Sequence, residues 1–186
     1  MAAPATARMG IDEFLRWSAR QSDEFVYELV RDVPHAMVRP VIIHQIIVEN
    51  LSSALNEELD GGTCISVPEA LVEVAPDTFR VPDVAVLCDV DDLSGRYRTD
   101  PTVLIEVLLP SAMDVDLFQK HEEYRGIASL KYFAFVSADR AQVALWSRGT
   151  DEWTVEEFEG FDASVRFEGV GAELPLERIY RRTGLA

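Results

Sequence analysis

Four residues in the middle of the chain have the types and spacing of a metal-assisted hydrolytic site: Asp83, Glu106, Lys120 and Tyr124. Asp83 follows a proline in Arg80-Val81-Pro82-Asp83-Val84-Ala85-Val86-Leu87, and Glu106 interrupts the apolar run Val103-Leu104-Ile105-Glu106-Val107-Leu108-Leu109. An ionised carboxylate inside such a strand is costly unless something cationic meets it. Mg²⁺ favours oxygen ligands, and one or two carboxylates completed by water and substrate phosphate suit it. Such an ion polarises the scissile phosphate and lowers the pKa of a bound water. Two acids so placed, with a lysine soon after, point to phosphodiester hydrolysis.

Each residue also has a plain structural explanation. Asp83 could be an ordinary turn residue after proline. Glu106 has less room for one, because Ile105 and Val107 flank it in an apolar strand. Asp116, Lys120 and Tyr124 are spaced i, i+4, i+8 and share a helical face, so Asp116 and Lys120 alone would read as a solvent-exposed ion pair. A helix directly after the Glu106 strand could instead return Lys120 over the acids, to orient the attacking water or offset charge developing on phosphorus. Glu28, between Tyr27 and Leu29, could complete a metal shell or face solvent from an alternating strand. His44 shares a helical face with Val48, Leu51 and Leu55 and by itself suits a hydrogen-bonded core histidine. His35 and His121 receive no role.

The elements that must carry these residues are visible as patterns. Residues 10–20 predict a short helix with Asp12 as cap, and 25–30 a strand followed by a loop through Pro34 and Pro40. Residues 41–59 give the clearest helix, with Ile43, Ile47, Leu51, Ala54 and Leu55 on its apolar face and Asp60-Gly61-Gly62 ending it. Residues 64–75 predict a pair of short strands or one strand bent at Pro68. The next two strands carry Asp83 and Glu106 near their centres and are expected to be neighbours, separated in sequence by the acidic loop Asp89–Pro101. The continuous apolar run around Glu106 predicts a strand covered on both faces. A helix capped by Ser111 or Asp114 runs to about Gly126. Strands follow at 130–137, 141–147 and 152–158, then a tail with a short helix near Ile179. This mixture is α/β.

At 186 residues and 48% hydrophobic content the chain suits one domain with a real core. No apolar run approaches the roughly 20 residues of a membrane span, and the N-terminus lacks the apolar region of a signal peptide. Cys64 and Cys88 have no zinc-type spacing and are expected to be reduced core thiols of a cytoplasmic protein. The formal charge of −16 opposes a simple nuclease, since non-specific DNA affinity comes from Lys and Arg releasing counterions. A local basic rim, or a partner supplying the affinity, would remove that objection.

Tyr27-Glu28-Leu29-Val30, His44-Gln45 opening a helix, Arg80-x-Pro82-Asp83, Glu106-Val107-Leu108-x-Pro110-Ser111, Asp116-x-x-x-Lys120-x-x-x-Tyr124 and Lys131-Tyr132-Phe133 together resemble a bacterial family. It is the putative restriction endonuclease family, abundant in cyanobacteria and other bacteria, within the PD-(D/E)XK nuclease superfamily. The match runs from near Gly10 to the end, and its specificity lies in the order and spacing of the motifs. The resemblance implies a restriction-endonuclease-like α/β fold, with a central mixed β-sheet flanked by α-helices. It would occupy residues 1–186 as a single domain, with 1–9 as a disordered tail. It also implies Mg²⁺-dependent hydrolysis of DNA, with Mn²⁺ as a substitute. Asp83 takes the place of the PD aspartate and Glu106 that of the second acid. The lysine normally two residues after that acid is absent, since Leu108 stands there, and Lys120 resembles a migrated equivalent. On this pattern Asp83, Glu106 and the Val107 carbonyl bind the ion, Glu28 assists, and His44 matches the family's helix-opening histidine. A homodimer follows by analogy with the superfamily.

The chain departs from the pattern in three places. Arg31-Asp32-Val33-Pro34 replaces a glycine-containing turn, so the first hairpin is expected to be remodelled. Leu109 replaces a serine, and Val136 stands where the family often has aspartate. The leading expectation is a metal-dependent endonuclease. The alternatives are a non-catalytic binding or regulatory protein that kept the fold, and a metal-dependent hydrolase of another substrate. A basic rim around Asp83 and Glu106 would favour DNA, and an acidic rim the alternatives.

Overall fold

A computed structural model of the protein describes residues 8–38, 41–89, 91–110 and 114–185, without the side chains of Val38 and of residues 114–116. In chain order the elements are α1 (Ile11–Ser18), β1 (Phe25–Val30), β2 (Val33–Val38), α2 (Ile42–Glu58), β3 (Cys64–Pro68), β4 (Val72–Ala75), β5 (Thr78–Arg80) and β6 (Val84–Cys88). They continue with β7 (Val103–Leu108), α3 (Asp114–Arg125), β8 (Tyr132–Ser137), β9 (Gln142–Arg148), β10 (Trp153–Glu159), β11 (Ser164–Phe167), β12 (Ala172–Pro175) and α4 (Leu176–Ile179).

The run of apolar residues around Glu106 is satisfied only if both faces of its strand are covered, and β7 is buried from Val103 through Val107. It lies inside a six-stranded mixed sheet of order β10-β9-β8-β7-β6-β3. β7 and β8 run parallel, and α3 supplies the crossover that a parallel pair requires. Side chains alternate across this sheet with period two. Val84, Val86, Val103, Ile105 and Val107 pack with α2, β12 and α4 in one core. Ala85, Leu87, Leu104, Phe133 and Phe135 pack with Tyr124 of α3 in another. Glu106 shares the parity of Leu104, so its side chain enters the α3 layer.

A four-stranded sheet, β2-β1-β5-β4, stands beside the large one. α1 covers it through Phe14 and Leu15, against Leu29 and Phe79. The two sheets meet where β5 gives way to β6, at Val81-Pro82-Asp83. Glu28 therefore approaches Glu106 from β1, outside the β6–β7 pair, and Asp83 from the junction that leads into β6.

Several expectations change. Residues 33–38 form a strand rather than a loop. Pro34 is accommodated because β2 is an edge strand, where a missing N–H breaks no ladder. The first hairpin keeps a two-residue turn without glycine. Arg31 and Asp32 adopt φ of 52° and 65°, and neighbouring groups brace them: Arg31 N–H donates to Thr78 Oγ1 at 3.2 Å and Asp32 N–H to the Asp77 carbonyl at 2.8 Å. Gly10, not Asp12, occupies the N-cap of α1. Residue 9 does not belong to a disordered tail, because Met9 is buried and its amide donates to the Asp32 carbonyl at 2.7 Å; residues 1–7 lie outside the described residues. Asp83 sits just ahead of β6 instead of at a strand centre, although β6 and β7 are antiparallel neighbours as expected. The C-terminal region contains the β11–β12 hairpin before its short helix.

The cysteines are also corrected: Cys64 and Cys88 face each other in the β3–β6 register and form a disulfide. Sequence spacing could not show this, because the two thiols meet only once β3 pairs with β6. The bond closes a loop of 24 residues, for which restriction of the unfolded chain contributes about 3 kcal/mol. Denatured without reductant, the protein should expose no free thiol, and Cys64→Ser with Cys88→Ser should lower unfolding free energy by about 3 kcal/mol. Two titratable thiols, with equal stability of wild type and variant, would contradict the crosslink.

Candidate functional site

The site forms where β1, the β5–β6 junction, β7 and α3 converge. Glu106 Oε1 accepts a hydrogen bond from Lys120 Nζ at 3.0 Å and a second, short one from the Tyr124 hydroxyl. One helical turn separates these two donors, which is why the i, i+4 spacing on α3 delivers both to one oxygen. Lys120 Nζ also stands 3.7 Å from Glu28 Oε1. Glu106 and Lys120 are both buried, so the reading of Lys120 as a solvent-exposed partner of Asp116 does not hold. Asp116 lies on α3, but its side chain falls outside the described residues.

Asp83 approaches from the other side. Its Oδ2 accepts the Val107 N–H at 2.7 Å and lies 3.2 Å from His44 Nε2 on α2. In an extended strand the amide and carbonyl of one residue point toward the same neighbour, so the Val107 carbonyl also lies on the Asp83 side of β7. Asp83 thus supplies, with a side chain, the acceptor for the Val107 amide at this end of the β6–β7 pair. His44 is the buried histidine expected from its helical face, and it is joined to Asp83 rather than isolated in the core.

Glu28 is 2% exposed, which excludes the solvent-facing reading. Its two oxygens are engaged: Oε2 by Arg80 Nη1 at 2.8 Å, and Oε1 by the Val81 amide at 3.0 Å as well as by Lys120. This is the environment of a carboxylate serving as counter-ion to two cations, not of one reserved for a metal shell.

Arg80 and Glu123 were missed as site residues. The Arg80 guanidinium donates to Glu28 and also forms a two-pronged contact with Glu123, at 2.7 Å from Nε and 3.1 Å from Nη2. Charge balance is the signal that could have found it. Two buried acids, Glu28 and Glu106, leave Lys120 one cation short, and Arg80 is the nearest cation in sequence to the Pro82-Asp83 motif.

Burial, the largest influence, pushes Glu106 from 4.5 up to about 7; Lys120 and the Tyr124 hydrogen bond pull it down, while Asp83 and Glu28 repel its charge. Burial, and then the Glu106 carboxylate, raise the Tyr124 phenol well above its ordinary range, so it remains a donor. Burial by itself would lower Arg80, but its hydrogen bond to Glu123 and the charge of Glu28 outweigh that and hold it permanently cationic.

No group of three or more His, Cys, Asp or Glu side chains is arranged around a single metal position among the described residues. The donor set that remains is two carboxylates and a main-chain carbonyl, which is the sparse shell Mg²⁺ accepts when water completes it. The hydrogen bonds described engage Asp83 through Oδ2 and Glu106 through Oε1. Glu28, Glu106 and Glu123 are met by Arg80 and Lys120, and Asp83 by His44. The chemistry of the donor set fits such an ion.

A cleft of about 260 Å³ opens beside His44 and Asp83, between α2 and the start of β4's connecting turn. Among the described residues its lining carries Glu49 and Glu69 and no lysine or arginine, so the described part of the rim on this side is acidic.

The putative restriction endonuclease family model, Uma2, matches residues 11–177. The chain belongs to that family. A relative in Synechocystis sp., the uncharacterized protein slr1290, is 27% identical over 183 residues, covering 96% of this chain and 94% of that protein. A crystal structure of a putative nuclease belonging to DUF820 from Anabaena variabilis superposes with a TM-score of 0.72 at 17% identity, covering 92% of this chain and 97% of that one. The fold of the chain is therefore that of this putative nuclease, a mixed α/β architecture around a central sheet, as the resemblance implied. No helix among the described residues is long and apolar enough to cross a membrane.

The elevated Glu106 pKa gives the stability of the protein a signed pH dependence. A carboxyl raised on folding stabilises the protonated fold, fully below about pH 4.5 and progressively less as pH rises through about 7. In EDTA, wild type should lose stability to urea between pH 5 and pH 8, and Glu106→Gln should lose less. Parallel pH dependences for the two proteins would contradict this.

Proposed function

We propose that this protein is a Mg²⁺-dependent endodeoxyribonuclease whose working residues are Asp83, Glu106 and Lys120. The observation that carries the proposal is the meeting of the two acids at one peptide: Asp83 grips the amide of Val107 while Glu106, the preceding residue, is held by Lys120 and Tyr124. Family membership supports nuclease chemistry, and Mn²⁺ would substitute for Mg²⁺. Asp83, Glu106 and the Val107 carbonyl would hold the ion, which when bound supplies polarisation of the scissile phosphate and a lowered pKa for the attacking water. Lys120 donates hydrogen bonds from a fixed, buried position toward the reacting oxygens, where a localised positive charge is worth far more than in water. Tyr124 keeps Glu106 Oε1 occupied. Glu28 holds Lys120 from the opposite side, and His44 orients Asp83. Water adds at phosphorus as the bridging P–O bond breaks.

The acidic lining at Glu49 and Glu69 favours a second reading, a binding or regulatory protein that retains the nuclease fold. A surface of net charge −16 repels phosphates at long range, so DNA would be engaged at low salt or through a partner.

Titration calorimetry with Mg²⁺ and Mn²⁺ should show one site that Asp83→Asn combined with Glu106→Gln abolishes. Plasmid nicking at low salt with Mn²⁺ should fall about a hundredfold or more in Lys120→Ala. Ion binding without nicking would favour the second reading. Absence of ion binding that depends on Asp83 and Glu106 would remove the metal-dependent mechanism.

A further inference from the structure

Lys120 reaches Glu106 through a flexible four-carbon stem, so the place of its ammonium depends on the groups packed around it. Two of the carboxylates near it in the fold, Glu28 and Glu123, are both held by Arg80. On β1, Glu28 lies 3.7 Å from Lys120 Nζ, and its other oxygen is fastened to Arg80 at 2.8 Å. On α3, Glu123 lies one turn beyond Lys120 and is gripped through both of its oxygens by the same guanidinium. Arg80 itself is 2% exposed and sits at the last position of β5, three residues before Asp83. A planar fork that serves two carboxylates at once is a geometry lysine cannot reproduce.

We propose that Arg80 is the positioning residue for Lys120: by clamping Glu28 on β1 and Glu123 on α3, it fixes the ammonium against Glu106. The inference rests on the nuclease reading above for its consequence in catalysis, but not for the positioning itself. Arg80 touches neither Asp83 nor Glu106 through any of these contacts, so its loss should spare ion binding and impair the step that needs Lys120. A displacement of an ångström at such a group is enough to cost about a hundredfold in rate.

The chain contains two lysines, Lys120 and Lys131, which gives a direct readout. Lys131 is exposed and Lys120 is buried, so limited acetylation followed by peptide mass spectrometry reports the accessibility of Lys120 against an internal reference. In Glu123→Gln and in Arg80→Lys, the Lys120:Lys131 acetylation ratio should rise several-fold, and Mn²⁺ affinity measured by calorimetry should stay at the wild-type value. The kcat for nicking should fall by about tenfold or more, with KM unchanged. Glu123 is the more exposed partner, so Glu123→Gln keeps the test informative if replacement of Arg80 prevents folding. A wild-type acetylation ratio in the folded variants would overturn the proposal. A wild-type protein that does not nick DNA would instead overturn the nuclease reading, and the acetylation ratio would still decide whether Arg80 positions Lys120.

Discussion

The structure is organised around a carboxylate that has no business being in the middle of a sheet. Glu106 lies in a central strand covered on both faces, beside Ile105 and Val107. A buried charge must be met by opposite charge and hydrogen bonds or be neutralised. Lys120 and Tyr124 meet one of its oxygens. Bringing Lys120 into the layer raises the same requirement again, and Glu28 answers it. Glu28 then requires Arg80, and Arg80 draws in Glu123. Glu28 comes from β1, Arg80 from β5, Glu106 from β7 and Lys120, Glu123 and Tyr124 from α3, so the polar cluster ties these four elements together. A cluster of this kind is costly if any member is left unsatisfied, which is why the packing around it is so closely specified.

The polar cluster lies at the seam between the two sheets, and that location has a consequence for function. The large sheet provides a rigid platform for Glu106, while the small sheet contributes Glu28 and Arg80 and leads directly into Asp83. Residues drawn from separate rigid elements can be held in fixed relation without a flexible loop. The acidic exterior is a separate matter from this interior. Electrostatic attraction governs encounter and salt dependence, whereas chemistry at the site depends on the local charges that the fold has placed there.

Much of this was legible in the sequence, for identifiable reasons. The apolar run around Glu106 fixes a doubly covered strand because period and composition leave few alternatives. The i, i+4 spacing of Lys120 and Tyr124 places both on one helical face whatever the tertiary context. Other features depend on pairing that only the fold supplies. The Cys64–Cys88 bond follows from β3–β6 register, and β2 is invisible locally because Pro34 disfavours a strand except at an edge. Asp83 lies outside β6 because Pro82 ends the ladder. Arg80 was hidden because an arginine in an alternating segment looks like a solvated charge until its buried partners are counted.

The most direct test of the central claim, that the paired acids form an oxygen site for a divalent ion, is a crystal structure grown with Mn²⁺ and examined by anomalous scattering. The expected result is a single strong peak bridging Asp83 and Glu106 beside the Val107 carbonyl, with Lys120 still adjacent to it. A structure at saturating Mn²⁺ with no peak at that position would contradict the account.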